Sequence, residues 1–226
     1  MNPYLIPLWL SLKLAAITTF ILLILSIPLA YWLAITKSWL KYPIQIVTTL
    51  PIVLPPTVLG YYLLLLLGSH GILGQFWHSL TGENALAFTF PGLVVGSIIY
   101  SLPFAVQPLL SAFEANGMKY STIAMTLGAS SLDRLFSITL PLAQRGMITA
   151  LILSFAHTVG EFGVVLMIGG NIHNKTNVAS IAIYEAVEQM DYYQANLLSL
   201  ILIGLSVVVL LMVFFLNKNK ITQGVL

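Results

Sequence analysis

Long apolar runs, rather than alternating or one-faced patterns, dominate this chain. Five stretches reach the roughly 20 residues needed to cross a hydrocarbon layer as a helix: about Leu14 to Ile35, Ile44 to Leu67, Ala85 to Phe113, Pro141 to Ile168 and Leu197 to Leu216. The pattern predicts an all-α fold, a polytopic membrane bundle of about five transmembrane helices, forming one domain over residues 1–226. Pro51, Pro55 and Pro56 interrupt the second stretch, and Pro91, Pro103 and Pro108 the third. An interior proline removes a backbone donor and bends its helix. The freed carbonyls must then meet protein or water, so both stretches are expected near the centre of the bundle. Polar segments fall at Gly68 to Asn84, 114–140 and Gly169 to Asn196. No internal repeat is visible, and five spans do not divide into the paired halves of many secondary carriers.

Composition sharpens this picture. Hydrophobic residues make up 58% of the 226 and charged residues only 7%, against about 25% charged in a soluble domain. The mean hydropathy is +0.96. So few charges cannot coat a soluble core, which makes lipid a partner of this surface. The net charge of +2 is small and scattered, which argues against a nucleic-acid partner. The absence of cysteine excludes disulfides, thiolate metal sites and cysteine nucleophiles. Met1 to Pro7 carries no basic residue, so the first apolar run is expected to remain as an anchor rather than act as a signal peptide.

The basic residues set an orientation. Lys37, Lys41, Lys119, Arg134, Arg145, Lys218 and Lys220 fall on one side if the spans alternate. On the other side Lys175 stands among Glu83, Glu185, Glu188 and Asp191, with Lys13 flanking the first span. The bias predicts the N-terminus outside and the C-terminus in the cytoplasm.

Residues 114–140 then form a cytoplasmic segment that reads as helix, break, helix. Gly128 can take the left-handed conformation that stops a helix, and Ser130 with Asp133 has the spacing of a capping box that starts the next. Leu132, Leu135 and Phe136 follow at helical spacing and predict one apolar face. Such a helix would lie on the membrane or its own bundle, or dock on a partner. Gly128, nine residues, then Ile138-Thr139-Leu140-Pro141 resembles the loop by which ABC importer permeases engage their ATPases. In that family an acidic residue and two alanines precede the glycine. Here Thr122, Ile123 and Ala124 stand there, so only Ala124 matches and no role passes to the missing glutamate.

The resemblance continues elsewhere. Thr49 to Gly60, Gly160 to Asn171, and Lys175-Thr176 followed by Ser180 to Tyr184 are similar to stretches of molybdate permease subunits. The likeness covers most of the chain from Leu50 onward. It implies a multi-pass permease of a bacterial or archaeal plasma membrane that carries molybdate, with sulfate and tungstate as alternative anions. It also implies a second copy of the chain, two cytoplasmic ATPases, and an extracytoplasmic oxyanion-binding protein touching the loops around Gly68 to Gly74 and Asn171 to Tyr193. ATP and magnesium would belong to the ATPases, and this chain would bind no cofactor. The ATPase-coupling residues implied are Ala124, Gly128, Ala129, Ser130, Leu132, Asp133, Arg134, Leu135, Phe136, Ile138, Leu140 and Pro141. Gly170 to Thr176 ends in Lys-Thr like a phosphate loop, but Asn174 replaces the required glycine. A carrier driven by an ion gradient is the rival reading.

The pore or gate candidates are Ser154, His157 and Glu161, with Pro55 and Pro56 at the interruption of the second span. Ser154, His157 and Glu161 share one helical face, and an intramembrane carboxylate faces a bundle interior or a water path. Glu161 then either lines the pore, or serves as a structural group paired with His157 or capping a broken neighbouring helix. No metal site is expected, since His70, His78 and His173 lie in external loops. Ser154 and His157 lack a third group to orient the imidazole, so catalysis is not expected.

Overall fold

The computed structural model describes residues 5–218, apart from the side chains of 116–119, 213 and 216–218. Lys220 lies outside the described residues, as do the side chains of Lys119 and Lys218. Twelve α-helices order the described chain: α1 Ile6–Ile35, α2 Lys41–Val53, α3 Pro56–Leu67, α4 Ile72–Thr81, α5 Phe90–Ala112, α6 Met118–Thr126, α7 Ser131–Arg134, α8 Leu140–Leu142, α9 Gln144–Gly160, α10 Gly163–Gly169, α11 Ala179–Glu188 and α12 Tyr192–Lys218. Two π-helical turns, Phe113–Gly117 and Leu135–Thr139, bracket α6 and α7. Three helices are long and apolar enough to cross a membrane, within residues 6–35, 90–115 and 192–212. The number rises to five if the bent pairs α2–α3, and 131–142 with α9, each count as one span.

The second span is therefore not a kinked helix but two helices meeting at 115°. Leu54 and Pro55 are extended, with ψ of 136° and 134°, and Pro56 opens α3 at a position where its missing N–H costs nothing. The third span departs from expectation in the other direction. Pro91 starts α5 behind Thr89, whose hydroxyl accepts from the Gly92 N–H. Pro103 and Pro108 then sit inside an unbroken helix.

α1, α5 and α9 pack on one another, and α10 fills the space between α3 and α5. Small residues permit this closeness. A Cβ on Gly146 of α9 would stand 2.3 Å from the Ala112 Cβ of α5, and one on Gly96 of α5 would stand 2.0 Å from Ile168 Cδ1. One apolar cluster joins Leu14, Leu67, Leu93, Val164 and Ile168. A second, at the 114–140 end, joins Tyr31, Leu33, Leu109, Phe113 and Leu135. Among the described residues α5 takes the central place expected of it, its apolar stretch being 56% buried. α2 does not: Thr48 and Pro51 are its only buried residues, and α5 is its main packing partner. α12 is the most exposed span, with 17% of its apolar stretch covered.

The segments expected to be loops at the end opposite 114–140 contain helices. α4 lies within 68–84 and α11 within 169–196. Both are short and amphipathic, so their polar faces disguised them.

Candidate functional site

Two regions hold the residues singled out by the sequence. The first is the segment from α6 to α8. α6 ends in a Schellman motif: the Ala129 N–H donates to the Ala124 carbonyl at 3.0 Å and the Gly128 N–H to the Met125 carbonyl at 3.1 Å. Gly128 supplies the left-handed turn with φ of 88°. Ser130 then caps α7. Its hydroxyl accepts from the Asp133 N–H at 3.2 Å and donates to the Asp133 carboxylate at 2.6 Å. Arg134 donates to the Ser131 hydroxyl at 3.1 Å.

The predicted apolar face divides in two. Leu127 is 82% exposed, Leu132 67% and Phe136 64%, whereas Leu135 is 6% exposed and packs into the bundle. The π-turn beginning at Leu135 breaks the α-helical period on which a single face depended. Leu135 is thus an anchor, and Leu132 and Phe136 are the free surface. Tyr31 of α1 fastens both ends of this unit. Its hydroxyl donates to the Ser131 carbonyl at 3.3 Å, and its ring meets Phe113 edge-on at 6.2 Å. A groove of about 470 Å³ runs beside Ala124, Leu127, Ile138 and Pro141.

The second region lies where two breaks face each other. α9 stops at Gly160, Glu161 is extended with ψ of 130°, and α10 begins at Gly163. Opposite stands the Leu54–Pro55 break: a Cβ on Gly163 would be 2.8 Å from Pro56 Cβ. Between them opens a cavity of about 530 Å³ lined by Pro56, Thr57, Tyr100, His157, Glu161 and Phe162, among others. Glu161 is 4% exposed and neither carboxylate oxygen has a hydrogen-bond partner. The Ser97 hydroxyl, also without a partner, lies beside it outside bonding geometry.

The proposed His157–Glu161 pair does not form. His157 Nδ1 instead meets the Ser101 hydroxyl at 2.8 Å, and its ring stacks on Phe104 at 4.0 Å. Ser101 also bonds to Thr158, which donates to the Ser154 carbonyl. The shared helical face ends at Gly160, because Glu161 belongs to the break and not to the helix. The cavity brings together Pro56, His157 and Glu161. Ser154, buried with an unpartnered hydroxyl, and Pro55 do not line it. Among the described residues no group of three His, Cys, Asp or Glu side chains is placed to hold a metal.

Sequence reasoning missed Thr176. Its buried hydroxyl donates to the Gly169 carbonyl at 2.7 Å and accepts from the Ile172 N–H at 3.1 Å, tying the loop after α10. Asn177 joins Asn171 and Glu185, and the Ala179 N–H donates to Ser11 of α1 at 2.8 Å. The Lys175-Thr176 pair was legible as part of the resemblance to molybdate permeases and of an external loop, but nothing in the sequence marked the Thr176 hydroxyl as the tie of that loop.

Known proteins resemble this chain in sequence and in fold. The molybdenum transport system permease protein ModB of Azotobacter vinelandii is 55% identical over 190 residues, covering 84% of each chain. ModB of Haemophilus influenzae is 35% identical over 207 residues, covering 88% of this chain and 90% of that one. The fold matches a crystal structure of a bacterial ABC transporter involved in the import of the acidic polysaccharide alginate. The TM-score is 0.72 at 19% identity, covering 99% of this chain and 81% of the other. Residues 26–220 match the family described as the binding-protein-dependent transport system inner membrane component. The chain belongs to that family of membrane permeases.

Proposed function

We propose that this chain is the permease of an ABC importer that carries molybdate across the plasma membrane, driven by ATP hydrolysed on a separate subunit. The observation that carries the reading is the capped α6–α7 unit. It presents Leu127, Leu132 and Phe136 to solvent while Leu135 and Tyr31 fix it to the bundle. An exposed apolar tip on a rigid mount is what a partner ATPase needs in order to push on the spans. The choice of anion rests on the similarity to the two ModB proteins.

In this reading the 114–140 end faces the cytoplasm, both in keeping with the basic residues there and with the ATPase being cytoplasmic. Two copies pair across the exposed face of α2 and α3, where Tyr42, Val47, Val53, Tyr61 and Tyr62 stand open. Closure of two ATPases draws the paired α6–α7 units together and rocks the spans. The opposite end, with α4 and α11, receives the anion from an extracytoplasmic binding protein. The chain itself supplies the path and no catalysis.

The test is purification of the tagged chain in mild detergent, followed by uptake of radioactive molybdate after reconstitution with its binding protein. Recovery of an ABC ATPase in equal amount, and uptake that needs ATP, are the expected results. A homo-oligomer with no ATPase, importing on an ion gradient, overturns the reading. Competition by tungstate and sulfate ranks the alternative anions.

A further inference from the structure

Two ionisable side chains, Arg145 in the first turn of α9 and Glu161 just past its last residue, line separate cavities. At its last turn the cavity between the breaks has Glu161 as its only ionisable acid or base besides His157 and Tyr100. At its first turn a cavity of about 680 Å³ lies between α5, α6 and the start of α9. Arg145 is the single charged side chain in its lining, and Ser111, Tyr120, Gln144 and Thr149 offer hydroxyl and amide donors. Arg145 makes no ion pair among the described residues, where the only such pair is Lys41–Glu114.

Three further features aim this cavity at an anion. Arg145 and Thr149 are four residues apart on one face of α9, so both point into the same space. Ala143 supplies no side-chain cap, leaving the first N–H groups of a 17-residue helix toward the same end. Gly146 lets that end press against α5, since a Cβ there would come within 3.1 Å of the Pro108 carbonyl and closer still to Ala112. The α5 wall that carries Ser111 thus lines the same cavity as the exposed Arg145.

We propose that Arg145 forms a binding site for a tetrahedral oxyanion at the cytoplasmic end of the path, with Ser111, Tyr120 and Thr149 as neutral donors. The inference rests on the importer reading. The two ends of α9 lie about 24 Å apart at 1.5 Å per residue. A dianion meets a carboxyl group at one and an unpaired guanidinium at the other. The arginine holds the anion after it has passed the breaks and before it reaches the cytoplasm.

The test uses the permease with its ATPase in lipid nanodiscs, without nucleotide or binding protein. Binding of radioactive molybdate, and of tungstate, sulfate and phosphate as competitors, is measured by equilibrium dialysis. Wild type is expected to bind a tetrahedral dianion. Arg145→Gln is expected to weaken that binding about tenfold or more, as loss of a charge-assisted bond does, with Arg145→Lys falling between. Co-purification of the ATPase with each variant verifies assembly. Equal binding by wild type and Arg145→Gln marks a site on the ATPase, or an arginine that only anchors the membrane interface, and overturns the proposal. So does a wild-type complex that binds none of the four anions. If the uptake assay selects an anion other than molybdate, the choice of cargo fails, and the arginine site is judged with that anion instead.

Discussion

Lys41 Nζ and Glu114 Oε1 stand 3.2 Å apart, joining the first residue of α2 to the π-turn at the base of the α6–α7 unit. Their side chains are 25% and 46% exposed, so the pair contributes at most about 1 kcal/mol of stability. Its value lies in geometry: it links the broken second span to the segment proposed to meet the ATPase. Lys41→Glu or Glu114→Lys alone is expected to lower ATP-driven uptake about two- to fivefold, with ATP hydrolysis retained. The double exchange is expected to restore uptake. A double variant no better than either single one removes the pair from the coupling route.

Gly128 has φ of 88° and open space where a Cβ would stand. Any effect of substitution there is conformational, not a clash. Gly128→Val forces a β-branched residue into the left-handed region, at a cost of about 1–2 kcal/mol or more. It is expected to release the ATPase on purification while the chain stays in the membrane. Gly128→Asn, which tolerates that region, is expected to keep most of the ATPase. Normal uptake by a stably expressed Gly128→Val variant would contradict the docking role.

The seam between α3 and α10 leaves no room for a Cβ at its glycines. A Cβ on Gly163 would lie 2.8 Å from Pro56 Cβ, and one on Gly60 would lie 2.8 Å from Met167 Cβ. Gly163→Ala is expected to destabilise the fold by about 1–3 kcal/mol through overpacking, lowering the unfolding temperature in detergent. Gly204→Ala, on α12 with nothing within 4 Å, is the control expected to leave it unchanged.

Thr176→Val keeps the volume of a buried side chain and removes both of its hydrogen bonds. The Gly169 carbonyl and the Ile172 N–H lose their partner, at about 1–3 kcal/mol for each group left unmet. Faster proteolysis of the 169–178 loop in intact outward-facing vesicles is expected, with Thr176→Ser close to wild type.

The parts legible in the sequence were those decided locally. Apolar runs marked the spans, Gly128 marked a helix stop, and Ser130 with Asp133 marked the start that follows. The break at Glu161–Phe162 was not legible, because no proline signals it. It goes with the close approach of Gly163 to Pro56, which is more than 100 residues away in the chain. The direction of Leu135 was misjudged for a related reason: its π-turn follows packing against Phe113 and Tyr31, which periodicity does not reveal. The partner of His157 was hidden too, since Ser101 lies on a different helix.

The two facing breaks place non-helical main chain side by side in the bundle, at Leu54–Pro55 and at Glu161–Phe162. Carbonyl groups released from a helix in hydrocarbon require water or protein to bond with, and a cavity lined by Pro56, Glu161 and Phe162 opens beside these breaks. The need for such partners at this seam is thus a property of the backbone trace. Replacing cavity side chains changes the lining of that cavity, while the need for backbone partners persists in every variant that keeps both breaks.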